Sequence, residues 1–223
     1  MDNQLDAVIF DLDGVITDTA EYHYLAWKNL ANSLGIDFDK KSNEQLKGIS
    51  RMESLEMILK FDKKEALFSD AEKLEFATKK NQYYQVLIKD ISKKDILPGI
   101  VELLEKLKAN NIKIALASAS KNAKVIIEGL GLRSHFDVIV DVEKIKKGKP
   151  DPEIFLKGAD LLGVPIDRCI GIEDAQAGVE AIKAANMFAV GVGSKDALKR
   201  ADYIVETTNQ LVFEEIKKRF LES

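Results

Sequence analysis

The chain has 223 residues, with 33 basic and 37 acidic side chains and a formal net charge of −4. It is long enough to bury a core without cross-links, and its mild acidity excludes the basic stripes that grip nucleic acid. Its one cysteine, Cys169, excludes an internal disulfide and fits a reducing compartment; lying in a short apolar run, it reads as a buried, inert thiol.

The start, Met1-Asp2-Asn3-Gln4, lacks the charged-then-apolar pattern of a signal peptide, and no apolar run approaches membrane-spanning length. A cytoplasmic protein with no membrane or nucleic-acid partner is expected. Ala7-Val8-Ile9-Phe10 is an apolar β-type run that stops at Asp11-Leu12-Asp13-Gly14, as a buried strand ending in a functional loop does. Residues 20 to about 92 show only helical periods, and Ser50-Arg51-Met52-Glu53 and Ser69-Asp70-Ala71-Glu72 each fit a capping box. Beyond Pro98-Gly99 a helix is predicted over 99–109, with Ile100, Leu103, Leu104 and Leu107 on one face. Strands are predicted at 112–117, 136–140, 169–172, 188–192 and 203–205. Helices are predicted from Pro152, over 175–185 and over 209–221.

Strands alternating with helices predict an α/β fold: a doubly wound parallel sheet core carrying an inserted all-helical cap. The expected division is a core of 1–18 plus 93–223 and a cap of 19–92. An insert placed right after the first strand lies over that strand's C-terminal end, where open α/β sheets bind ligands.

Asp11 and Asp13 repel one another and need a cation or a shared proton. Taken alone, Asp-x-Asp-Gly is equally a turn. Glu173-Asp174 follows another predicted strand and is equally a helix cap. In a parallel sheet, however, these strand ends share one edge, and a cluster of hard carboxylate oxygens suits Mg²⁺. Ser118 ends the 112–117 strand at the same edge, ahead of Ala119-Ser120-Lys121-Asn122. This reads either as an ordinary strand end with a serine cap or as a phosphate cradle. Lys149 closes the basic run Lys144-Ile145-Lys146-Lys147-Gly148-Lys149, and is either a surface lysine or a fixed ammonium for a transferring phosphoryl group.

Asp11-Leu12-Asp13-Gly14-Val15-Ile16-Thr17-Asp18-Thr19, Ser118, Lys149-Pro150 and Gly171-Ile172-Glu173-Asp174 resemble, in order, the four motifs of the haloacid dehalogenase-like superfamily. The helical insert is similar to that superfamily's small cap, so the resemblance covers essentially the whole chain. Finer matches point to its β-phosphoglucomutase family: Thr19-Ala20-Glu21-Tyr22-His23 with Trp27, Asn43-Glu44-Gln45-Leu46-Lys47-Gly48-Ile49-Ser50-Arg51, and Ala115-Leu116-Ala117-Ser118-Ala119-Ser120-Lys121-Asn122.

The resemblance implies that Asp11 attacks phosphorus and that Asp13 is general acid and base toward the sugar oxygen, with Thr19 and His23 in the catalytic set. It implies Mg²⁺ held by Asp11, the Asp13 carbonyl and Asp174, with Glu173 as ligand or orienter. Ser118, the Ala119 amide and Lys149 would hold the transferring phosphoryl group. Arg51, Ser120, Lys121 and Asn122 would hold a second phosphate, while Gly48, Ser50 and Lys80 complete the substrate contacts. Trp27 is included in that set, although cap packing is its simpler reading. His23 is expected to couple cap closure to Asp13, and His135 to be structural. The implied activity interconverts β-D-glucose 1-phosphate and D-glucose 6-phosphate, with β-glucose 1,6-bisphosphate as intermediate and primer, in a monomer. The alternative is a sugar or polyol phosphate phosphatase using water as acceptor.

Overall fold

The computed structural model describes residues 4–223; residues 1–3, and with them most of the start segment read above, lie outside the described residues. β1 (Ala7–Phe10) leads through a turn to four helices: α1 (Ala20–Ser33), α2 (Lys40–Glu44), α3 (Arg51–Phe61) and α4 (Asp70–Leu87). The chain then alternates as α5 (Ile100–Ala109), β2 (Lys113–Leu116), α6 (Ala123–Gly129), β3 (Val138–Ile139), α7 (Glu153–Leu162), β4 (Cys169–Glu173), α8 (Gln176–Ala184), β5 (Phe188–Val192), β6 (Tyr203–Val205) and α9 (Phe213–Leu221). All six strands are parallel, in the order β3-β2-β1-β4-β5-β6. The fold is therefore the α/β core with a helical insert that the alternation predicts.

Both sheet faces are covered, which is why the central strands are apolar throughout rather than alternating. Val8, Phe10, Ile114 and Ile170 pack with Leu104 of α5, Ile126 of α6 and Ile216 of α9. Ile9, Ala115 and Ala189 face the other way, onto Phe155 of α7 and Ile182 of α8. The insert has its own cluster, built from Trp27, Leu30, Phe38, Leu55, Ile58 and Leu59. Ala26 and Tyr84, at the root of the insert, join the core cluster instead. Both capping boxes are present, at Ser50–Glu53 and Ser69–Glu72.

Differences from expectation are local. The 136–140 strand shortens to two residues, because β3 is an edge with only β2 to pair with. Pro152 is the N-cap of α7 rather than its first helical residue. The last helix starts at Phe213, after a short 3-10 turn at Thr208–Gln210. Among the described residues no helix is long and apolar enough to cross a membrane.

Gly171 lets α8 close on β4. A Cβ there would lie 2.6 Å from Cδ1 and Cγ1 of Ile182, a side chain buried on all sides. Gly171→Ala is therefore expected to destabilise the protein by about 1–3 kcal/mol through overpacking. Urea unfolding should show a lower midpoint with an unchanged slope.

Candidate active site

β1 and β4 are neighbours, and the chain leaves them in opposite directions: β2 and β3 lie on one side, β5 and β6 on the other. Such a reversal opens a crevice at the strands' C-terminal ends. Asp11 follows β1, Glu173 is the last residue of β4, and Asp174 comes next. One oxygen from each of Asp11, Glu173 and Asp174 lies within 4.8 Å of the others.

Two glycines give these carboxylates room. A Cβ on Gly14 would sit 2.2 Å from Asp174 Oδ2, and one on Gly178 would sit 2.0 Å from the Glu173 carboxyl. Gly14 also has φ +73°, a region that favours glycine.

Lys149 is no surface residue. It is 2% exposed; its Nζ donates to Asp11 Oδ1 at 2.6 Å and to Glu173 Oε2 at 2.7 Å, and lies 5.0 Å from the centre of the Phe155 ring. Burial disfavours the ammonium, but Asp11 and Glu173 outweigh that and raise its pKa. Burial, followed by neighbouring negative charge, pushes the carboxyls of Glu173 and Asp174 up. One lysine thus leaves the cluster short of positive charge. That shortage, and a donor set made only of carboxylate oxygens, fit a hard divalent cation such as Mg²⁺.

Asp13 stands apart from this cluster, facing the cap. Thr19 Oγ1 donates to its Oδ1, and His23 Nε2 lies 4.0 Å from its Oδ2. Burial first, and Asp11 second, raise its pKa to about 7. Burial, Lys80 and Arg51 hold His23 well below its usual range, so the ring is neutral. Lys80 Nζ lies 2.9 Å from His23 Nδ1. With Lys80 as donor, the remaining ring proton sits on Nε2, on the side of Asp13. Lys80 is 4% exposed, over the rings of Trp27 and Tyr84 at 4.5 and 4.8 Å. Burial, then Arg51, lower its pKa to about 7.

These groups surround a cavity of about 1060 Å³ between helical insert and sheet edge. Asp11, Asp13 and Asp174 form its floor, with Ser118, Ala119 and Ser120 beside them. His23, Trp27, Gly48, Arg51 and Lys80 line it from the insert, and Lys121 and Asn122 line it from the core. Gly48, at φ +75°, rests on α8: a Cβ there would be 3.1 Å from Ala175 Cβ. Arg51 makes no ion pair among the described residues, so its fork is free for an anion. Lys121 is paired with Glu143 at 2.7 Å.

Four of the expected residues do not line the cavity: Thr19, Ser50, Lys149 and Glu173. Ser50 is committed to its capping box, where its hydroxyl oxygen accepts from the Glu53 amide. Thr19, Lys149 and Glu173 are buried behind the residues that do line it. The serine cap, one of the two readings of this loop, is not formed: the N-cap of α6 is Asn122, with no side-chain cap bond. The hydroxyl oxygens of Ser118 and Ser120 accept the amides of Ser120 and Asn122, so the two serines brace the loop. Asn122 ties this loop to α4, donating to Asn81 Oδ1 at 2.9 Å and accepting from Gln85 Nε2 at 3.1 Å. Tyr84 and Gln85 are absent from the sequence-derived set. The available signal was the four-residue spacing of Lys80 and Tyr84, which puts them on one face of α4. His135 is half-buried away from the cavity, and Cys169 is buried, its thiol pushed up to about 12 by burial.

Residues 5–186 match the family model described as haloacid dehalogenase-like hydrolase. A β-phosphoglucomutase of Bacillus subtilis is 54% identical over 208 residues, covering 93% of this chain and 92% of its own. A phosphorylated carbohydrates phosphatase of Thermotoga maritima is 31% identical over 82% of each chain. The crystal structure of a β-phosphoglucomutase from Clostridium difficile superposes with a TM-score of 0.97 at 56% identity, covering 98% of both chains.

The depressed pKa of Lys80 has a consequence for stability. Its ordinary value is 10.5, and the folded protein lowers it to about 7. Between those values the unfolded chain holds the extra proton, so this group makes stability rise with pH, and its full cost is felt below about 7. Lys80→Met removes that cost. Urea midpoints for the variant relative to the unaltered protein are expected to be higher at pH 6 than at pH 9; an equal difference at both values would contradict the assignment.

Proposed function

The chain belongs to the haloacid dehalogenase-like hydrolase family, and within it we propose that it interconverts β-D-glucose 1-phosphate and D-glucose 6-phosphate, as a β-phosphoglucomutase does. The observation that supports this reading is one cavity lined both by Asp11, with Ser118 and Ala119, and by Arg51, with Ser120, Lys121 and Asn122. We read the first group, backed by Lys149, as the seat of the transferring phosphoryl group, and the second as the seat of the far phosphate. A planar guanidinium suits the far phosphate because it binds in two places. A phosphatase for monophosphates needs only the first seat. The 54% identity to a β-phosphoglucomutase supports the same reading.

In this cycle Asp11 carries the phosphoryl group. A sugar phosphate enters with its free hydroxyl toward Asp13. The Asp13 carboxylate takes the hydroxyl proton as the sugar oxygen bonds to phosphorus, and the bond from phosphorus to Asp11 breaks. The products are β-glucose 1,6-bisphosphate, a free Asp11 carboxylate and protonated Asp13. The bisphosphate then turns end for end. Asp11 attacks the other phosphorus, the sugar oxygen leaves, and Asp13 returns the proton to it. A group that must alternate between acid and base is served best by a pKa near neutrality, which burial gives Asp13. Traces of the bisphosphate would prime the enzyme.

Mg²⁺, held by Asp11, Asp174 and the Asp13 carbonyl with Glu173 alongside, would supply the remaining positive charge facing the phosphoryl group. Glu173 also fixes Lys149, and its own carboxylate is held by the Ala175 amide at 3.2 Å. The insert, residues 19–92, acts as a cap on the core of 1–18 plus 93–223, and its contacts through Gly48 and Asn122 exclude water from the phosphorylated aspartate. Thr19 and His23 reach Asp13 from that cap and set its position, which ties acid–base competence to closure.

The deciding assay follows phosphorus by NMR during incubation with β-glucose 1-phosphate, Mg²⁺ and a trace of bisphosphate. Glucose 6-phosphate is the expected product; inorganic phosphate alone would replace the mutase with a phosphatase. The metal assignment has a readout without turnover. Mg²⁺ at about a hundred times its Kd stabilises a binding protein by about 2.7 kcal/mol, a rise of about 5–10 °C in Tm for a chain of this size. Asp174→Asn is expected to abolish that rise, and a variant that keeps it would remove Asp174 from the ligand set.

A further inference from the structure

Tyr84 is the largest fully buried side chain among the described residues, and its contacts go beyond apolar packing. Its hydroxyl donates to Thr19 Oγ1 at 3.1 Å. Its ring stacks on His23, with centroids 4.2 Å apart and a tilt of 36°, and Lys80 Nζ lies 4.8 Å from its centre. Two of these partners, Thr19 and His23, face Asp13, yet Tyr84 does not line the cavity.

We propose that Tyr84 is a positioning residue for the acid–base aspartate, acting through Thr19. A threonine hydroxyl has one proton to give and two lone pairs to receive with. Left alone, it can turn that proton toward any acceptor in reach. By donating into Thr19 Oγ1, Tyr84 occupies a lone pair and leaves the Thr19 proton for Asp13 Oδ1, the other oxygen within reach of that hydroxyl. Burial and the nearby Asp13 raise the pKa of the phenol, which keeps it neutral and able to donate throughout the cycle. The result is a relay of two hydroxyls, Tyr84 to Thr19 to Asp13. It crosses from the last cap helix, α4, to the start of the first, α1, and from there to the core loop. The same tyrosine ring packs against His23, whose Nε2 lies 4.0 Å from the second Asp13 oxygen. Both carboxylate oxygens of Asp13 are thus addressed by cap residues that Tyr84 keeps in place.

This inference rests on the mutase reading, and the experiment separates the two. Tyr84→Phe keeps the ring, its stacking and its packing and removes only the hydroxyl. Two half-reactions are measured by rapid quench. The first loads Asp11 from an acyl phosphate, whose leaving group is a weak base and needs no proton from Asp13. The second transfers that phosphoryl group to glucose 6-phosphate, which needs Asp13 as base. The expected result is unchanged loading, unchanged KM for glucose 6-phosphate and a transfer rate lower by about tenfold, the scale of one buried hydrogen bond. In a Thr19→Val background the Tyr84→Phe change should have no further effect, because Tyr84 works through that hydroxyl. A merely structural role would slow loading and transfer together, lower Tm, and persist in the Thr19→Val background; that pattern overturns the proposal, as does an unaltered transfer rate. The unaltered protein is the control. If it makes no glucose 6-phosphate from β-glucose 1-phosphate, the mutase reading falls and this inference with it. If it does, and Tyr84→Phe transfers at the same rate, only the inference falls.

Discussion

The double hydrogen bond of the Lys149 ammonium, to Asp11 on one side and Glu173 on the other, is the interaction on which this site depends. Carboxylates crowded within 4.8 Å, two of them buried, are costly unless positive charge lies among them. Lys149 provides a fixed share of it from a position that is 2% exposed. The geometry that permits this comes from the sheet. Because β1 and β4 are adjacent and the chain diverges from them, the loops after them open toward one crevice, and the loop ahead of α7 can bring Lys149 in beneath. Gly14 and Gly178 answer the same constraint at shorter range, since any side chain at either would occupy the space of Asp174 or Glu173.

Lys149 also explains how two aspartates one residue apart take different roles. Asp11 accepts a hydrogen bond from the Lys149 ammonium, which fixes the orientation of its carboxylate and suits it to the proposed nucleophilic role. Asp13 has no such partner; its neighbours are the hydroxyl of Thr19 and a neutral imidazole. Burial beside Asp11 then keeps its proton available near neutral pH. With only Leu12 between them, the two residues meet different surroundings because one turns toward Lys149 and the other toward the helical insert.

Most of this was legible in the sequence because it is local. Strands too apolar to be half-exposed, the loops that end them and the two capping boxes are each read within a few residues. What was not legible is what α4 does. That helix carries charged and polar residues around most of its circumference and gives a weak amphipathic signal, yet it sends Lys80, Tyr84 and Gln85 to three different parts of the site. These contacts join residues 37 to 65 positions apart, and no spacing rule reaches that far. Nor does the basic run ending at Lys149 reveal that its last member is buried while Lys144 and Lys147 stay in water. Only the tertiary fold, in which β4 supplies Glu173, separates them.

In the proposed cycle the helical insert would therefore do more than cover a phosphorylated Asp11. Asn122 binds Asn81 and Gln85 across the seam, Gly48 seats on Ala175, and Thr19 and His23 reach Asp13, so the closed arrangement is also the one in which the acid–base group is held. Water can enter an open site, but there Asp13 would lack its partners from the cap. In the proposed cycle, a sugar phosphate that bridges Asp11 and Arg51 would favour closure and so recruit Asp13 to activate its own hydroxyl. Discrimination between sugar and water would then follow from which acceptor can close the cap, with no need for a difference in the reactivity of the phosphoaspartate. The core motifs common to phosphatases and mutases carry none of that information. It resides in the free guanidinium of Arg51 and in the contacts that make closure and base positioning one event.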